Sequence, residues 1–305
     1  MPLQLLQELT PSLARTAYVH LQGWGEPLLN SQFLEMVARL RAAGRRVGTT
    51  SNGLLLDRNC ARALVAAGVE VVALSVAGAD EETNDAVRRG APLARVITAA
   101  RTLAEERHGR ARPRIHLAYL LLRSGLASIE RLPELACAAG VDEVVVSSLS
   151  LVARRELLAE AVLAPDAARM EALRRRLADV GREVRRRGVG IHWHLLSPFN
   201  EPGECPENPE TSVFVGADGR VHPCVMTGIP VAEPLASFGW SGVEPRYQYS
   251  YGQASPAGVG AAWRTTESRA FRRRLTFVDP PAGCARCLKR WHIPLEPPVD
   301  LVPLM

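Results

Sequence analysis

Residues 69–76 read VEVVALSV, and this β-branched, largely apolar run is the segment that decides the fold. A strand with one wet face alternates apolar and polar side chains, whereas a parallel strand buried on both faces is apolar almost throughout. The flanking segments, RNCARALVAAG at 58–68 and ARVITAARTLAEE at 94–106, repeat their apolar residues at the spacing of amphipathic helices. A buried parallel strand between two helices is therefore predicted.

The same alternation of strand and helix extends to both sides of this segment. Further strands are predicted at 16–22, 46–50, 114–122, 142–149 and 190–196, and further helices at 31–44, 128–140 and 165–188. Strand–helix units repeated over about 150 residues indicate an α/β fold, either a parallel barrel or an open doubly wound sheet. Both architectures bind ligands at the carboxyl ends of their strands.

The residues that follow several predicted strands are small, polar or glycine. They are GWGEP (23–27), SNG (51–53), Ser75 with Gly78, Arg123 with Ser124, and Ser147, Ser148 and Ser150. Because the carboxyl ends of parallel strands share one edge, these positions together predict a ligand-binding rim.

The composition changes after residue 196. Residues 197–305 lose the strand–helix rhythm, are rich in Pro, Gly and aromatic residues, and hold four of the six cysteines. We therefore predict two domains, a barrel-like domain at 1–196 and a smaller module at 197–305 that is held together by something other than a large core.

The charge and the first residues bear on partners and location. The formal net charge is +5, but of the 37 basic residues only Lys289 is lysine. Such one-sided use of arginine indicates a GC-rich genome rather than a nucleic-acid surface, so no nucleic-acid partner is expected. The start, MPLQLLQELTP, does not have the pattern of a secretory signal, and the apolar runs are too short to cross a bilayer. A cytoplasmic protein without a membrane partner is expected.

The six cysteines fall into two sets. Cys60 and Cys137 lie in predicted helices beside Ala and Leu, where a buried structural cysteine is expected. Cys205 and Cys224 flank a predicted hairpin, TSVFV–GADG–RVHPC, and CARC at 284–287 adds a CxxC pair. Disulfides are not expected in a cytosolic chain. Four thiolates from three chain segments suit either Zn in Cys₄ geometry or an iron–sulfur cluster, and the spacing alone does not choose between them.

Four further polar residues are candidates for the interior of the barrel. His192 and His194 lie on the same side of the strand at 190–196, and Glu143 and Arg123 lie at the ends of other strands. No third metal ligand is visible near the two histidines, so packing or solvent exposure is expected for them. No residue is assigned a catalytic role.

On these segments the chain resembles a radical S-adenosylmethionine (SAM) enzyme with a C-terminal twitch or SPASM module, over nearly its whole length. LQGWGEPLL at 21–29 is similar to the family's GGEP element, whose backbone holds the SAM amino group, with tryptophan in place of one glycine. TSNG at 50–53 resembles a second family element, and LSVAGADEETNDAVRRGAPLARV at 74–96 resembles the fourth-strand segment. The resemblance implies that SAM is bound by Gly23, Trp24, Gly25, Glu26, Ser51, Asn52 and Ser75.

The tail resembles the twitch module of the same family. Cys205, Gly219 before Cys224, and the CxxC at 284–287 match its pattern, and AWRTTESRAFRRRL at 262–275 resembles the helix that precedes this CxxC. The resemblance implies a partial (β/α)₆ barrel followed by a twitch module. It also implies one auxiliary [4Fe–4S] cluster with four ligands, Cys205, Cys224, Cys284 and Cys287.

The CxxxCxxC motif of the family, which binds the cluster that cleaves SAM, has no counterpart in these residues. No cysteine precedes Cys60, and the CxxC at 284–287 has no third cysteine at the required offset. Residues 3–17 suit the end of a first helix that leads directly into a second strand. We therefore expect a partial barrel that lacks its first strand unit, in an N-terminally truncated chain that is inactive by itself.

Three functions are compatible with these features. The first is a radical SAM enzyme that uses the 5′-deoxyadenosyl radical to abstract hydrogen from a peptide, a protein or a small metabolite, with an electron donor as a further partner. The second is a non-catalytic iron–sulfur-binding relative that serves as a binding or partner module. The third is a structural Zn protein.

Overall fold

A computed structural model of the chain describes residues 1–162, 166–196, 203–231, 236–239, 242–245, 248–254, 257–276, 279–285 and 287–293. The predicted domain boundary at 196–197 borders residues 197–202, which lie outside the described residues.

A seven-stranded sheet forms the larger part of the fold. Its strands are β1 (Tyr18–Leu21), β2 (Arg46–Ser51), β3 (Val71–Val76), β4 (Arg114–Leu121), β5 (Glu143–Ser148), β6 (Gly190–Leu196) and β12 (His292–Ile293). They stand in this order across the sheet, and the first six run parallel. The six strands predicted from the sequence are thus all present, with ends within two residues of the prediction.

The strand order distinguishes the two predicted architectures. A doubly wound sheet reverses its strand order at a switch point, whereas a barrel adds each new strand beside the previous one. The order from β1 to β6 has no reversal, so the winding is that of the predicted (β/α) barrel. Among the described residues, β1 and β12 are the edges of the sheet.

Seven helices accompany the parallel strands. They are α1 (Leu3–Leu9), α2 (Phe33–Ala42), α3 (Arg58–Ala66), α4 (Glu81–Val87), α5 (Leu93–Arg107), α6 (Leu132–Ala139) and α7 (Ala167–Arg186). Side-chain caps set where three of them begin. The Asp57 carboxylate accepts from the Cys60 backbone N–H at 2.8 Å, that of Asp80 from the Thr83 N–H at 2.9 Å, and that of Asp166 from the Arg169 N–H at 2.8 Å.

The strands present an apolar face to the helices and a more polar face to the other side. In β3, Val72, Leu74 and Val76 are fully buried in the main hydrophobic core. Because side chains alternate along a strand, Ala73 and Ser75 point to the opposite, concave face. The apolar run at 69–76 therefore makes a strand that is buried on both sides, as predicted, and the concave face is free to carry polar groups.

The structure contradicts the burial predicted for one of the two helical cysteines. Cys60 is partly buried and packs against the main core, in keeping with the predicted structural role. Cys137 is exposed, contrary to its predicted burial. Helix α6 turns Leu132, Ala136 and Ala139 toward the core, and Cys137 falls outside that buried stripe.

The residues after β6 form a second, smaller unit. It contains β7 (Phe214–Val215), β8 (Arg220–His222), β9 (Ala236–Gly239), β10 (Gly242–Pro245), β11 (Gly252–Gln253), α8 (Val259–Trp263), α9 (Thr266–Thr276) and α10 (Ala282–Ala285). The predicted hairpin is present as the antiparallel pair β7 and β8. Gly219 in its turn has φ +81°, a conformation that favours glycine.

Helix α1 lies between the two units. Its Leu3 and Leu6 belong to the main core, whereas Leu9 belongs to the core of the second unit together with Tyr251 and Phe271. Just after this helix, the Ser12 hydroxyl accepts a hydrogen bond from the Val259 N–H at 3.1 Å. The N-terminal residues thus join the cysteine-containing unit to the barrel.

No helix among the residues that the structure describes is long and apolar enough to cross a membrane.

Candidate functional site

The loop after β1 is tied to the end of β2 by one carboxylate. Glu26 Oε1 accepts hydrogen bonds from the Ser51 hydroxyl at 2.8 Å and the Leu28 N–H at 3.1 Å, and Oε2 accepts from the Asn52 N–H at 2.7 Å. Three donors from two loops therefore converge on Glu26. This carboxylate sets the shape of the rim where the two loops meet.

Ser51, Asn52 and Gly53 form a tight turn beside Glu26. The Ser51 hydroxyl, which is buried, also accepts from the Gly53 N–H at 3.0 Å, and Asn52 Oδ1 accepts from the Leu54 N–H at 2.9 Å. Gly53 has φ +79°, which a side chain would strain. Two of the predicted ligand-binding residues, Ser51 and Asn52, thus direct their side chains to the loop itself.

The backbone of residues 23–25 borders open space. A Cβ atom added at Gly23 or Gly25 would meet no atom within 4 Å, so neither glycine is required by packing within the chain. Trp24 between them is 45% exposed. This stretch of backbone is therefore accessible to a ligand.

The loop after β3 is organised by a residue that the sequence did not single out. Ser75 lies half-buried near the end of β3, on the concave face, and the chain then turns at Ala77 and Gly78. The fully buried Asn84 accepts from the Ala77 N–H at 3.0 Å and donates to the Ala91 carbonyl at 3.2 Å. A Cβ at Gly78 would lie 2.4 Å from the backbone nitrogen of Asn84, so this close approach of two backbone segments requires glycine.

A buried ionic cluster lies toward the amino end of the concave face. Glu143 Oε2 lies 2.7 Å from Arg114 Nη2 and 3.3 Å from His116 Nε2, and its Oε1 contacts His192 Nε2. Burial acts to raise the pKa of Glu143, but the hydrogen bond from His192 and neighbouring charges, that of Arg114 among them, outweigh it, and the net shift is downward. Of the residues named as interior candidates, Glu143 and His192 are therefore in direct contact.

His116 and His20 are the neutral members of the concave face. Burial lowers the pKa of each to about 4. His20 is held between the Tyr18 hydroxyl at 3.1 Å and the Thr50 hydroxyl at 3.0 Å. His116 is 2% exposed, and neither of its ring nitrogens has a hydrogen-bond partner among the described residues.

The other two interior candidates have different surroundings. His194 is one layer closer to the carboxyl rim than His192, and burial and nearby Lys289 lower its pKa. Arg123 does not serve the interior, because its guanidinium donates to the backbone carbonyls of Ala159 and Ala161 at 2.9 and 3.2 Å. Arg123 thus anchors the segment that follows β5.

All four cysteines of the second unit line one cavity. Cys205 precedes the β7–β8 hairpin and Cys224 follows it, whereas Cys284 lies within α10 and Cys287 follows that helix. Burial, and then the neighbouring thiols among other groups, raise the pKa of Cys205 to about 12 and that of Cys284 still further. The thiols of Cys205 and Cys284 are therefore protonated unless a cation replaces the proton.

The donor set suits a soft metal centre. Thiolates bind zinc and iron–sulfur clusters, and four cysteines complete the ligand sphere of either. Among the residues that the structure describes, no three Cys, His, Asp or Glu side chains converge closely enough to bind one metal ion. A single ion needs its ligands to converge on one point. A cluster does not, because each thiolate binds a different iron.

Three charged residues that the sequence interpretation left without a function also line this cavity. They are Glu207, Lys289 and Arg290, and Lys289 Nζ contacts Glu207 Oε1. The side chains of Glu207 and Lys289 are 6% and 15% exposed. The sequence contained one signal for Lys289, which is the only lysine in the chain. The sequence analysis explained the predominance of arginine by a GC-rich genome and gave this lysine no role.

Comparisons with known proteins agree with this division of the chain. The sequence model of the radical SAM superfamily matches residues 2–123, and that of an iron–sulfur cluster-binding domain, the SPASM domain, matches residues 205–288. A comparison with curated proteins finds no match.

Solved structures with a similar fold include anSMEcpe and SuiB. Native anSMEcpe with bound AdoMet aligns with a TM-score of 0.65 at 16% identity, over 91% of this chain and 75% of that chain. Streptococcus suis SuiB bound to S-adenosylmethionine aligns with a TM-score of 0.58 at 14% identity, over 78% of this chain and 56% of that chain. SuiB bound to the precursor peptide SuiA aligns with a TM-score of 0.60 at 15% identity, over 94% of this chain and 63% of that chain. The alignments thus span little more than half of SuiB, and at these identities the likeness shows the fold alone.

The two neutral histidines predict a loss of stability in acid. Below the ordinary histidine pKa of about 6.5, the unfolded chain binds protons that native His20 and His116 do not take up until the pH reaches about 4. The free energy of unfolding should fall between these pH values, at up to about 1.4 kcal/mol per pH unit for each histidine. The free energy of unfolding, measured with urea at a series of pH values, should fall less steeply with falling pH in His116→Gln than in the wild type. A matched change at exposed His108 should leave this pH dependence unaltered.

The hydrogen bonds of Glu26 predict a local effect of its removal. In Glu26→Gln an amide NH₂ group faces donors from Ser51, Leu28 or Asn52, so the two loops should open more readily. Hydrogen–deuterium exchange of peptides covering 23–29 and 51–54 should be faster by about tenfold, for a loss of roughly 1.4 kcal/mol. Glu35→Gln, in an exposed pair on α2, is the control. Unchanged exchange in Glu26→Gln would contradict the role given to this carboxylate.

Proposed function

We propose that this chain, whose residues 2–123 match the radical SAM superfamily and whose residues 205–288 match the SPASM iron–sulfur cluster-binding domain, binds SAM and one auxiliary [4Fe–4S] cluster as part of an enzyme that acts on a peptide. The observation that carries the proposal is the cavity lined by Cys205, Cys224, Cys284 and Cys287. These four thiolates are the proposed cluster ligands. The proposed domains are 1–196 for the barrel and 197–305 for the cluster module.

The proposed SAM site is the rim built on Glu26. The accessible backbone of Gly23, Trp24 and Gly25 supports a role in binding the SAM amino group, by resemblance to the family. Glu26, Ser51 and Asn52 shape the two loops around it through their hydrogen bonds to each other and to the backbone. Ser75, half-buried on the concave face of the next strand, is the remaining proposed contact.

The proposed substrate class is a peptide. SuiB has been solved with a precursor peptide and anSMEcpe with a peptide named Kp18Cys, and both share the fold of this chain. A longer protein or a small metabolite is the less favoured alternative. In this superfamily, electron transfer from a cluster at a CxxxCxxC motif to SAM generates the 5′-deoxyadenosyl radical that abstracts hydrogen, so a general acid or base need not be present. An external electron donor is the further partner proposed.

One observation favours a second candidate function. The 305 residues contain no CxxxCxxC motif. The first cysteine, Cys60, lies within α3. A polypeptide of these residues alone would then bind SAM or a partner without cleaving SAM. The second candidate is accordingly a non-catalytic iron–sulfur-binding module.

Iron content tests the proposed cluster. After anaerobic reconstitution with iron and sulfide, the chain should hold about four irons and show the brown colour of a [4Fe–4S] cluster. Cys284→Ala and Cys224→Ala should lose most of this iron, because each removes a ligand. Cys137→Ala changes an exposed cysteine on α6 and should keep it. Colourless protein that retains one zinc would support the structural Zn protein instead.

SAM cleavage tests the predicted inactivity of a polypeptide of these 305 residues. With dithionite as reductant, the reconstituted 305-residue polypeptide should form no 5′-deoxyadenosine from SAM, because the motif for the cleaving cluster is absent from it. Liquid chromatography with mass spectrometry measures the nucleoside, and anSMEcpe serves as positive control. Formation of 5′-deoxyadenosine that depends on Glu26 would contradict the predicted inactivity.

A further inference from the structure

Lys289 stands out because this chain uses arginine at every other basic position. A guanidinium is large, planar and delocalised, whereas the ammonium group of lysine is a compact point charge. Lys289 follows Cys287 by two residues, in the short 3₁₀ turn Leu288–Trp291 that leads into β12. Its position is therefore fixed by the same segment that carries the CxxC pair.

Lys289 forms a buried ion pair at the cysteine cavity. Its Nζ contacts Glu207 Oε1, and both residues line the cavity with the four cysteines. The Glu207 carboxylate is almost fully buried, so the attraction between the two charges is only weakly screened by solvent. Lys289 also lies close enough to His194 on β6 to affect its pKa, after burial.

Glu207 lies near the thiols both in the chain and in the cavity. It follows Cys205 by two residues, and it lines the same cavity as all four cysteines. A negative charge at Glu207 therefore lies beside the thiolates, and the contact with Lys289 offsets it.

We propose that the Glu207–Lys289 pair sets the reduction potential of the [4Fe–4S] cluster held by the four cysteines. The inference rests on the proposed function, because it needs that cluster. Net charge and hydrogen bonds around a cluster are among the factors that set its potential. Reduction adds one electron to the cluster, so a carboxylate beside Cys205 and Cys224 makes reduction harder, and the ammonium group that neutralises it makes reduction easier.

Opposite shifts in the two single variants are the expected result. Glu207→Gln removes the negative charge and should move the midpoint potential to a more positive value. Lys289→Met leaves the carboxylate without its cation and should move the potential to a more negative value. The double variant removes both charges and should return the potential close to that of the wild type. Lys289→Arg keeps the positive charge, so its midpoint potential should lie closer to that of the wild type than the potential of Lys289→Met does.

The experiment is an anaerobic titration with dithionite of the reconstituted full chain, with every variant measured at the same pH. Electron paramagnetic resonance follows the reduced cluster, and iron is counted in every sample. Arg39→Met is the control, because it removes the same charge from an exposed Arg39–Glu35 pair on α2 and should leave the potential unchanged.

The outcomes separate this inference from the proposed function. If the wild-type chain takes up no iron, the proposed function fails and the inference fails with it. If the wild type holds about four irons but both single variants keep its potential, or shift it in the same direction, only the inference is overturned. Loss of iron from either single variant would also overturn it, since the pair would then serve assembly rather than potential.

Discussion

The antiparallel pairing of His292–Ile293 with Leu195–Leu196 is the contact on which the arrangement of the two units depends. It occupies the edge of β6 with a strand from the far end of the chain and so places the CxxC segment beside the carboxyl rim of the sheet. Helix α1 makes a second connection, with Leu3 and Leu6 in the main core and Leu9 in the core of the cysteine unit. The two connections together hold the cysteine cavity near the rim where ligands of parallel sheets bind.

Within the rim, hydrogen bonding explains what the loop motifs do. Glu26 accepts from Ser51, Leu28 and Asn52, so three residues of the predicted SAM site are occupied in shaping the loops. What these bonds leave accessible is the backbone of residues 23–25. Trp24 lies in the same stretch, and its side chain is 45% exposed.

The fold was predictable from the sequence because local patterns carry it. The apolar run at 69–76 and the helical periods beside it identify β3, α3 and α5, and the same reasoning finds all six parallel strands. Side-chain environments within that fold were less accessible. Periodicity did not distinguish the exposed Cys137 from its buried neighbours, and nothing local in the sequence indicates that Asn84 reaches Ala77 and Ala91. These contacts depend on how separate elements pack.

The same limit applies to charges at the candidate sites. Glu143, His116 and His192 come from three strands, and Glu207 and Lys289 are separated by most of the second unit, so only the three-dimensional structure pairs them. The clustering of Cys205, Cys224, Cys284 and Cys287 was more predictable, because the hairpin and the CxxC each bring two cysteines close.

The central claim is that these four cysteines hold one iron–sulfur cluster, and the most direct measurement is anomalous diffraction from crystals of the anaerobically reconstituted chain. Data collected on either side of the iron absorption edge should place one compact peak inside the cavity bounded by Cys205, Cys224, Cys284 and Cys287. A peak there at the zinc edge alone, or iron bound elsewhere with the cavity empty, would contradict the account.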